Sequence, residues 1–179
     1  METLVSQPPL ITEENFVADA EPMYKTLVAE VDWDERMKAR KTVCFGEAYN
    51  YSGITYETVP MHPALIPLVE KLEAKLGYRP NSCLLNYYAD GNATMGFHSD
   101  SEDDIVPGTG IAIVSLGAER DLTFRSKLDK QVEYAYPLRS GSLLYMPPGL
   151  QDDWKHAVLS QENTGGRISA TFRLLRRLP

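Results

Sequence analysis

Cysteine, tryptophan and histidine are scarce in this 179-residue chain, at two, two and three residues. Cys44 and Cys83 make neither a disulfide framework nor a metal-type cluster, and are expected to be free thiols in a reducing compartment. No stretch reaches the ~18 uninterrupted apolar residues of a membrane-spanning helix. The opening Met1-Glu2-Thr3-Leu4 lacks the basic and apolar blocks of a signal peptide, so the expected location is the cytoplasm, or the nucleus in a eukaryote. Basic residues are in deficit, 18 against 25 acidic, for a net charge of −7. That balance argues against a protein that grips a polyanion over its whole surface, and leaves room for a local basic groove. Most of the deficit lies in residues 1–80, with 8 basic and 13 acidic side chains, whereas residues 81–179 hold 10 and 12.

The length suits one domain with a core of its own. Hydrophobic residues at 43% and charged residues at 24% are ordinary globular usage, which excludes disordered and coiled-coil classes. Thr12 is placed to cap a short helix over residues 12–18, and Pro22 to sit in the first turn of a second helix ending near residue 31. A third helix opens at Pro63, carries Leu65, Leu68, Val69, Leu72 and Leu76 at three- and four-residue steps, and closes at Gly77. Residues 40–57 read as strand and loop. From Ser82 the pattern changes to short apolar runs separated by turn signals such as Asp90-Gly91-Asn92, Ser140-Gly141 and Pro147-Pro148-Gly149. The expected architecture is mainly β with N-terminal helices, a sandwich or closed double sheet. Residues 1–80 would form the helical part and 81–179 the β body.

Two of the three histidines stand out. His98 and Asp100 are two apart, a spacing that puts both side chains on one face of a strand. His156, on an expected strand over residues 155–160, joins them only if the sheets close. Two histidines and one carboxylate on one side of an octahedron leave the opposite positions open, as in non-haem Fe(II) oxygenases. Zinc accepts the same donors. The last strand adds a second pattern. Arg167, Ser169, Thr171 and Arg173 alternate with Ile168, Ala170 and Phe172, so two guanidiniums and two hydroxyls share one face. Such a face is either wet or lines a site. Asn86 and Tyr88 alternate likewise, shortly before His98. A dicarboxylate needs an Arg fork at one end and further donors at the other, and these strands supply such a set.

In order, Asn86-Tyr87-Tyr88, Asp90-Gly91, Gly96-Phe97-His98-Ser99-Asp100, Ser115-Leu116-Gly117, residues 121–125, Gly141 to Met146, His156 and Arg167–Arg173 resemble the AlkB-like Fe(II)/2-oxoglutarate dioxygenases, the nucleic-acid dealkylases. The resemblance covers roughly residues 40–173. It implies a double-stranded β-helix, or jelly roll, with a nucleotide-recognition lid before it. It also implies Fe(II) on His98, Asp100 and His156, with 2-oxoglutarate and O2 as cosubstrates. By the same analogy Arg167 clamps the distal carboxylate with Tyr88 beside it, and Asn86 and Arg173 hold the chelating end. Ser169 stands where relatives often carry Asn.

The lid segment Tyr49-Asn50-Tyr51-Ser52-Gly53 resembles one whose aromatic residue stacks on a flipped base. Glu102 matches an acidic position that contacts the exocyclic amine of that base. Arg40 matches a residue near the nucleic-acid backbone or damaged nucleotide. The implied reaction is removal of methyl groups from 1-methyladenine or 3-methylcytosine in DNA or RNA, releasing formaldehyde, succinate and CO2. Before Arg40 only Met37 could serve as an apolar wedge, and the surface is acidic, so the expected partner is single-stranded alkylated nucleic acid bound by a monomer. The same chemistry on a protein, lipid or small molecule is the alternative.

Overall fold

The computed structural model describes residues 6–49 and 56–176. Ten strands form two antiparallel sheets. The six-stranded sheet has the order β1 (Ile11–Glu13), β8 (Leu143–Met146), β5 (Ile111–Gly117), β10 (Arg167–Arg173), β3 (Ser82–Tyr88), β2 (Lys41–Gly46). The four-stranded sheet has the order β4 (Met95–His98), β9 (Trp154–Val158), β6 (Arg120–Ser126), β7 (Glu133–Leu138). Two sheets face to face with strands that cross between them in sequence make the expected jelly roll.

The large sheet is buried on both faces, and its strands show how. In β10, Ile168, Ala170 and Phe172 pack against helices α1 (Ala20–Glu30) and α2 (Ile66–Leu76), together with Leu85, Leu27 and Leu72. The alternate residues of β10 turn inward, where the other core holds Leu84, Tyr88, Ile113, Leu122 and Phe124. Every residue of β10 is therefore buried, polar ones included, because the strand is central and both its faces are covered. The arginine-bearing face is not wet. Leu85 has no exposed surface and lies in the helix-side core. Leu85→Ala is expected to cost about 2–5 kcal/mol, as lost burial plus a residual cavity. A urea melt of the two proteins measures it.

Local chemistry explains α2. His62 Nδ1 accepts the Ala64 N–H at 3.0 Å, Pro63 leads a single 3-10 turn, and Gly77 ends the helix at φ 82°, a left-handed conformation that glycine adopts without a Cβ penalty. The helix expected over residues 12–18 does not form. Ile11–Glu13 instead pairs with β8, Thr12 opposite Leu144, and the chain then turns through Asn15 at φ 57°. A capping residue secures about 1 kcal/mol, which an available sheet edge outweighs. α1 starts only at Ala20. The first 80 residues are accordingly not only helical, since β1 and β2 close the two edges of the large sheet.

Candidate active site

The two histidines meet through strand pairing. β4 and β9 are antiparallel, and His98 lies directly opposite His156. Facing residues on paired strands project to the same side, with Cβ atoms about 4.5–5.5 Å apart. The rings lie 4.3 Å apart between centroids. Asp100, two residues beyond His98, brings Oδ1 to 3.2 Å from His98 Nε2 and Oδ2 to 3.7 Å from His156 Nε2. One ligand atom from each of the three lies within 4.8 Å of the others. Ligands about 2.0–2.2 Å from a shared ion and at right angles stand about 3 Å apart, so the spacing suits one facial set.

Backbone and side-chain contacts hold His98 and Asp100 in place. Gly96 O lies 2.8 Å from His98 Nδ1, which directs Nε2 toward Asp100. The Asp100 N–H donates to Gln151 Oε1 at 2.9 Å, and Ser99 Oγ donates to Trp154 O at 2.7 Å. Burial opposes ionisation of Asp100, but the Arg173 charge, the bond to His98 and both imidazoles outweigh it and hold the carboxyl well below the usual range. Burial pushes His156 down to about 4, assisted by His98 and Arg173 and opposed by Asp100. At neutral pH the site thus presents a carboxylate and, at His156, a neutral imidazole, the protonation states a metal requires.

Next to this set lies a small, largely enclosed cavity. Its wall carries Asn86, Tyr88, Arg167, Ser169 and Arg173, so every residue expected at a cosubstrate site is brought together. Register explains the convergence. Ser169 is opposite Asn86 on one side and Ser115 on the other, and Arg167 is opposite Tyr88 and Gly117. The Arg167 guanidinium is 5.4 Å from the Tyr88 ring centroid and donates from Nη2 to Ser115 Oγ at 2.9 Å. Its Nε and Nη1 are buried without an acceptor. Arg173 donates to Asp100 Oδ2 at 3.3 Å, and its Nε and Nη1 are likewise unpartnered. Buried donors without acceptors are costly, and two guanidiniums in that state beside one cavity call for an anionic ligand.

The residues expected to touch a substrate are placed differently. Tyr51 lies outside the described residues. Tyr49 is only 6% exposed and the Arg173 guanidinium lies 3.7 Å from its ring centroid, so it packs into the core behind Arg173 instead of projecting from a lid. The Glu102 carboxylate accepts the Gly149 N–H at 3.2 Å and does not line the cavity, because the turn before α3 (Leu150–Asp153) claims it. Arg40 is buried, donating to Asn86 Oδ1 at 2.8 Å and Thr94 O at 3.1 Å. It borders the cavity and an adjoining surface groove, a position inside the rim.

Sequence reading passed over Gln151 and Arg120. Nothing in the local pattern marks Gln151. Arg120 carried a signal, since Arg120, Leu122 and Phe124 occupy every second position of β6 and all three are buried.

The sequence profile of the 2OG-Fe(II) oxygenase superfamily matches residues 1–173. The chain is 33% identical over 175 residues to the alpha-ketoglutarate-dependent dioxygenase alkB homolog 3 of Bos taurus, covering 87% of this chain and 61% of that protein. It is 37% identical over 125 residues to uncharacterized protein R406 of Acanthamoeba polyphaga mimivirus, covering 69% and 64% respectively. With the DNA oxidative demethylase ALKBH2 of Homo sapiens it shares 30% over 179 residues, 87% of this chain and 69% of that protein. The chain thus spans about three fifths of the length of the first two relatives. The solved structure of OsALKBH1 superposes at a TM-score of 0.62 with 15% identity, over 95% of this chain and all of that one, which establishes the fold. With a matching profile over nearly its whole length and a facial His-Asp-His set at the expected place, the chain belongs to the 2OG-Fe(II) oxygenase superfamily.

Proposed function

We propose that the protein is an Fe(II)- and 2-oxoglutarate-dependent dioxygenase that removes N-methyl groups from bases of the 1-methyladenine and 3-methylcytosine type in DNA or RNA. The observation that carries this reading is the shared cavity. It joins a two-histidine, one-carboxylate set to two buried guanidiniums, each with two nitrogens that lack acceptors. A structural metal alone has no use for the second feature, and a zinc hydrolase has none either. A dianion that also chelates the ion satisfies both, so the residues fit the cosubstrate and the ferrous ion of the superfamily.

His98, Asp100 and His156 would hold the ion. When bound, Fe(II) with 2-oxoglutarate and O2 supplies the oxidising power that hydroxylates the N-methyl carbon, giving succinate and CO2. Arg167 offers its free donors to the distal carboxylate, with Tyr88 and Ser169 beside it. Asn86, fixed by Arg40, and Arg173, fixed by Tyr49 and Asp100, face the end nearer the ion. Leu84, Ile113, Leu122 and Val158 exclude water from the same space. The hydroxymethylated base then releases formaldehyde without further help.

The names of the alkB homolog 3 and ALKBH2 relatives support a nucleic-acid substrate. The net charge of −7 favours a single strand, whose unstacked bases can reach a buried site without a large basic surface. Formaldehyde and succinate release from single- and double-stranded oligonucleotides bearing 1-methyladenine or 3-methylcytosine tests this. The expected result is stoichiometric release, faster from the single strands. Succinate without formaldehyde from every oligonucleotide would transfer the same chemistry to a protein, lipid or small-molecule substrate.

A further inference from the structure

Arg120, the first residue of β6, is 1% exposed, and among the described residues no carboxylate lies within ion-pair distance of it. Its guanidinium instead gathers three backbone carbonyls from two different loops. Nη1 donates to Asp90 O at 3.2 Å, and Nη2 to Ala93 O at 2.9 Å and Leu159 O at 2.7 Å. Asp90 and Ala93 belong to the loop leading from β3 into β4, the strand of His98. Leu159 follows β9, the strand of His156. The two loops also meet directly. Gln161 N donates to Gly91 O at 2.9 Å, and a Cβ on Gly91 would lie 1.6 Å from Gln161 O, so no side chain fits between them. The Arg120 guanidinium lies 5.5 Å from the Tyr88 ring centroid, and the Arg167 guanidinium is 5.4 Å from the same ring.

Arg120 does not line the cavity, so it reaches a ligand only through Tyr88 and through its charge. We propose that Arg120 is a positioning residue of the cosubstrate site. By holding both loops beside Tyr88 and placing a second desolvated positive charge near the ring that Arg167 also approaches, it makes the pocket select a keto-diacid over a keto-monoacid. This role requires that the pocket take 2-oxoglutarate, as proposed above. Two guanidiniums held near one aromatic ring repel each other, and burial strengthens that repulsion. A distal carboxylate paired with the Arg167 donors that lack acceptors would relieve it. A ligand ending in a methyl group does not, and pays the desolvation of the floor without return.

The test measures binding without turnover, by calorimetry on the Mn(II)-loaded full chain, with 2-oxoglutarate and with 2-oxovalerate, which lacks the distal carboxylate. Arg120→Met is expected to weaken 2-oxoglutarate about tenfold to thirtyfold, with Mn(II) affinity unchanged and 2-oxovalerate changed less than threefold. Arg120→Lys keeps the charge but loses the three-carbonyl fork, and is expected to recover part of that loss. Should Arg120→Met not fold, the Lys variant decides alone: at least threefold weaker 2-oxoglutarate with unaltered 2-oxovalerate supports the assignment. Equal 2-oxoglutarate affinity in wild type and variants overturns it, as does a parallel fall for both ligands, which would mark a merely structural residue. Failure of the wild type itself to bind 2-oxoglutarate would overturn the underlying reading instead.

Discussion

Asp100→Ala is expected to abolish both metal binding and succinate formation, a loss of at least about 10³-fold in turnover. The size follows from where the carboxylate sits. It is the one anion among His98, His156 and Arg173, at 3.2, 3.7 and 3.3 Å respectively. Removing it subtracts a ligand and leaves the buried Arg173 charge facing the place where a cation must bind. Breaking a buried pair in this way costs about 3–5 kcal/mol, and each 1.36 kcal/mol is about tenfold in an equilibrium constant. His98→Ala provides the contrast. It also removes a ligand and is expected to abolish turnover equally, but it leaves Arg173 paired with Asp100. The alanine at 100 should therefore melt lower than the alanine at 98, although both are inactive. Bound manganese by paramagnetic resonance, succinate yield and a thermal melt separate these effects. Turnover within tenfold of wild type in either variant would remove that residue from the ligand set.

The site was legible in the sequence where its chemistry follows strand periodicity. His98 and Asp100, and the four polar residues of β10, are spaced by two, and two is the strand repeat. Such spacing says that side chains share a face, but not whether that face is wet. Only the position of β10 between β3 and β5 settles that, and it is a long-range property. The pairing of His98 with His156 is long-range in the same sense, since 56 residues separate Asp100 from His156. Tyr49, Arg40 and Glu102 illustrate a different limit, because each side chain is engaged by a neighbour that local pattern cannot reveal: Arg173, Asn86 and Gly149. Thr12 failed for a third reason, because a local capping preference competed with the exposed edge of β8.

Arg167→Met separates stability from function, with effects of opposite sign. Arg167 is 1% exposed, burial pulls its guanidinium below the usual value, and two of its nitrogens lack acceptors. In the ligand-free protein this is a desolvated charge with incomplete compensation, and an apolar side chain of similar length relieves it. The variant is therefore expected to melt at or above the wild-type temperature in the absence of 2-oxoglutarate. With the cosubstrate present the order reverses. The distal carboxylate would be left buried and unpaired, a cost of about 3–5 kcal/mol that raises the required 2-oxoglutarate concentration about 10²–10⁴-fold. Because a ligand stabilises the folded state in proportion to RT ln(1 + [L]/Kd), the wild type gains melting temperature on adding 2-oxoglutarate and the variant gains almost none at the same concentration. Arg167→Lys restores a charge without the bidentate fork, and falls between the two. Titrating 2-oxoglutarate against succinate yield and against melting temperature reads both halves of the prediction. An unchanged apparent affinity in Arg167→Met would place the cosubstrate's far carboxylate elsewhere, and a lowered melting temperature without ligand would mean that the unpartnered donors are satisfied in solution.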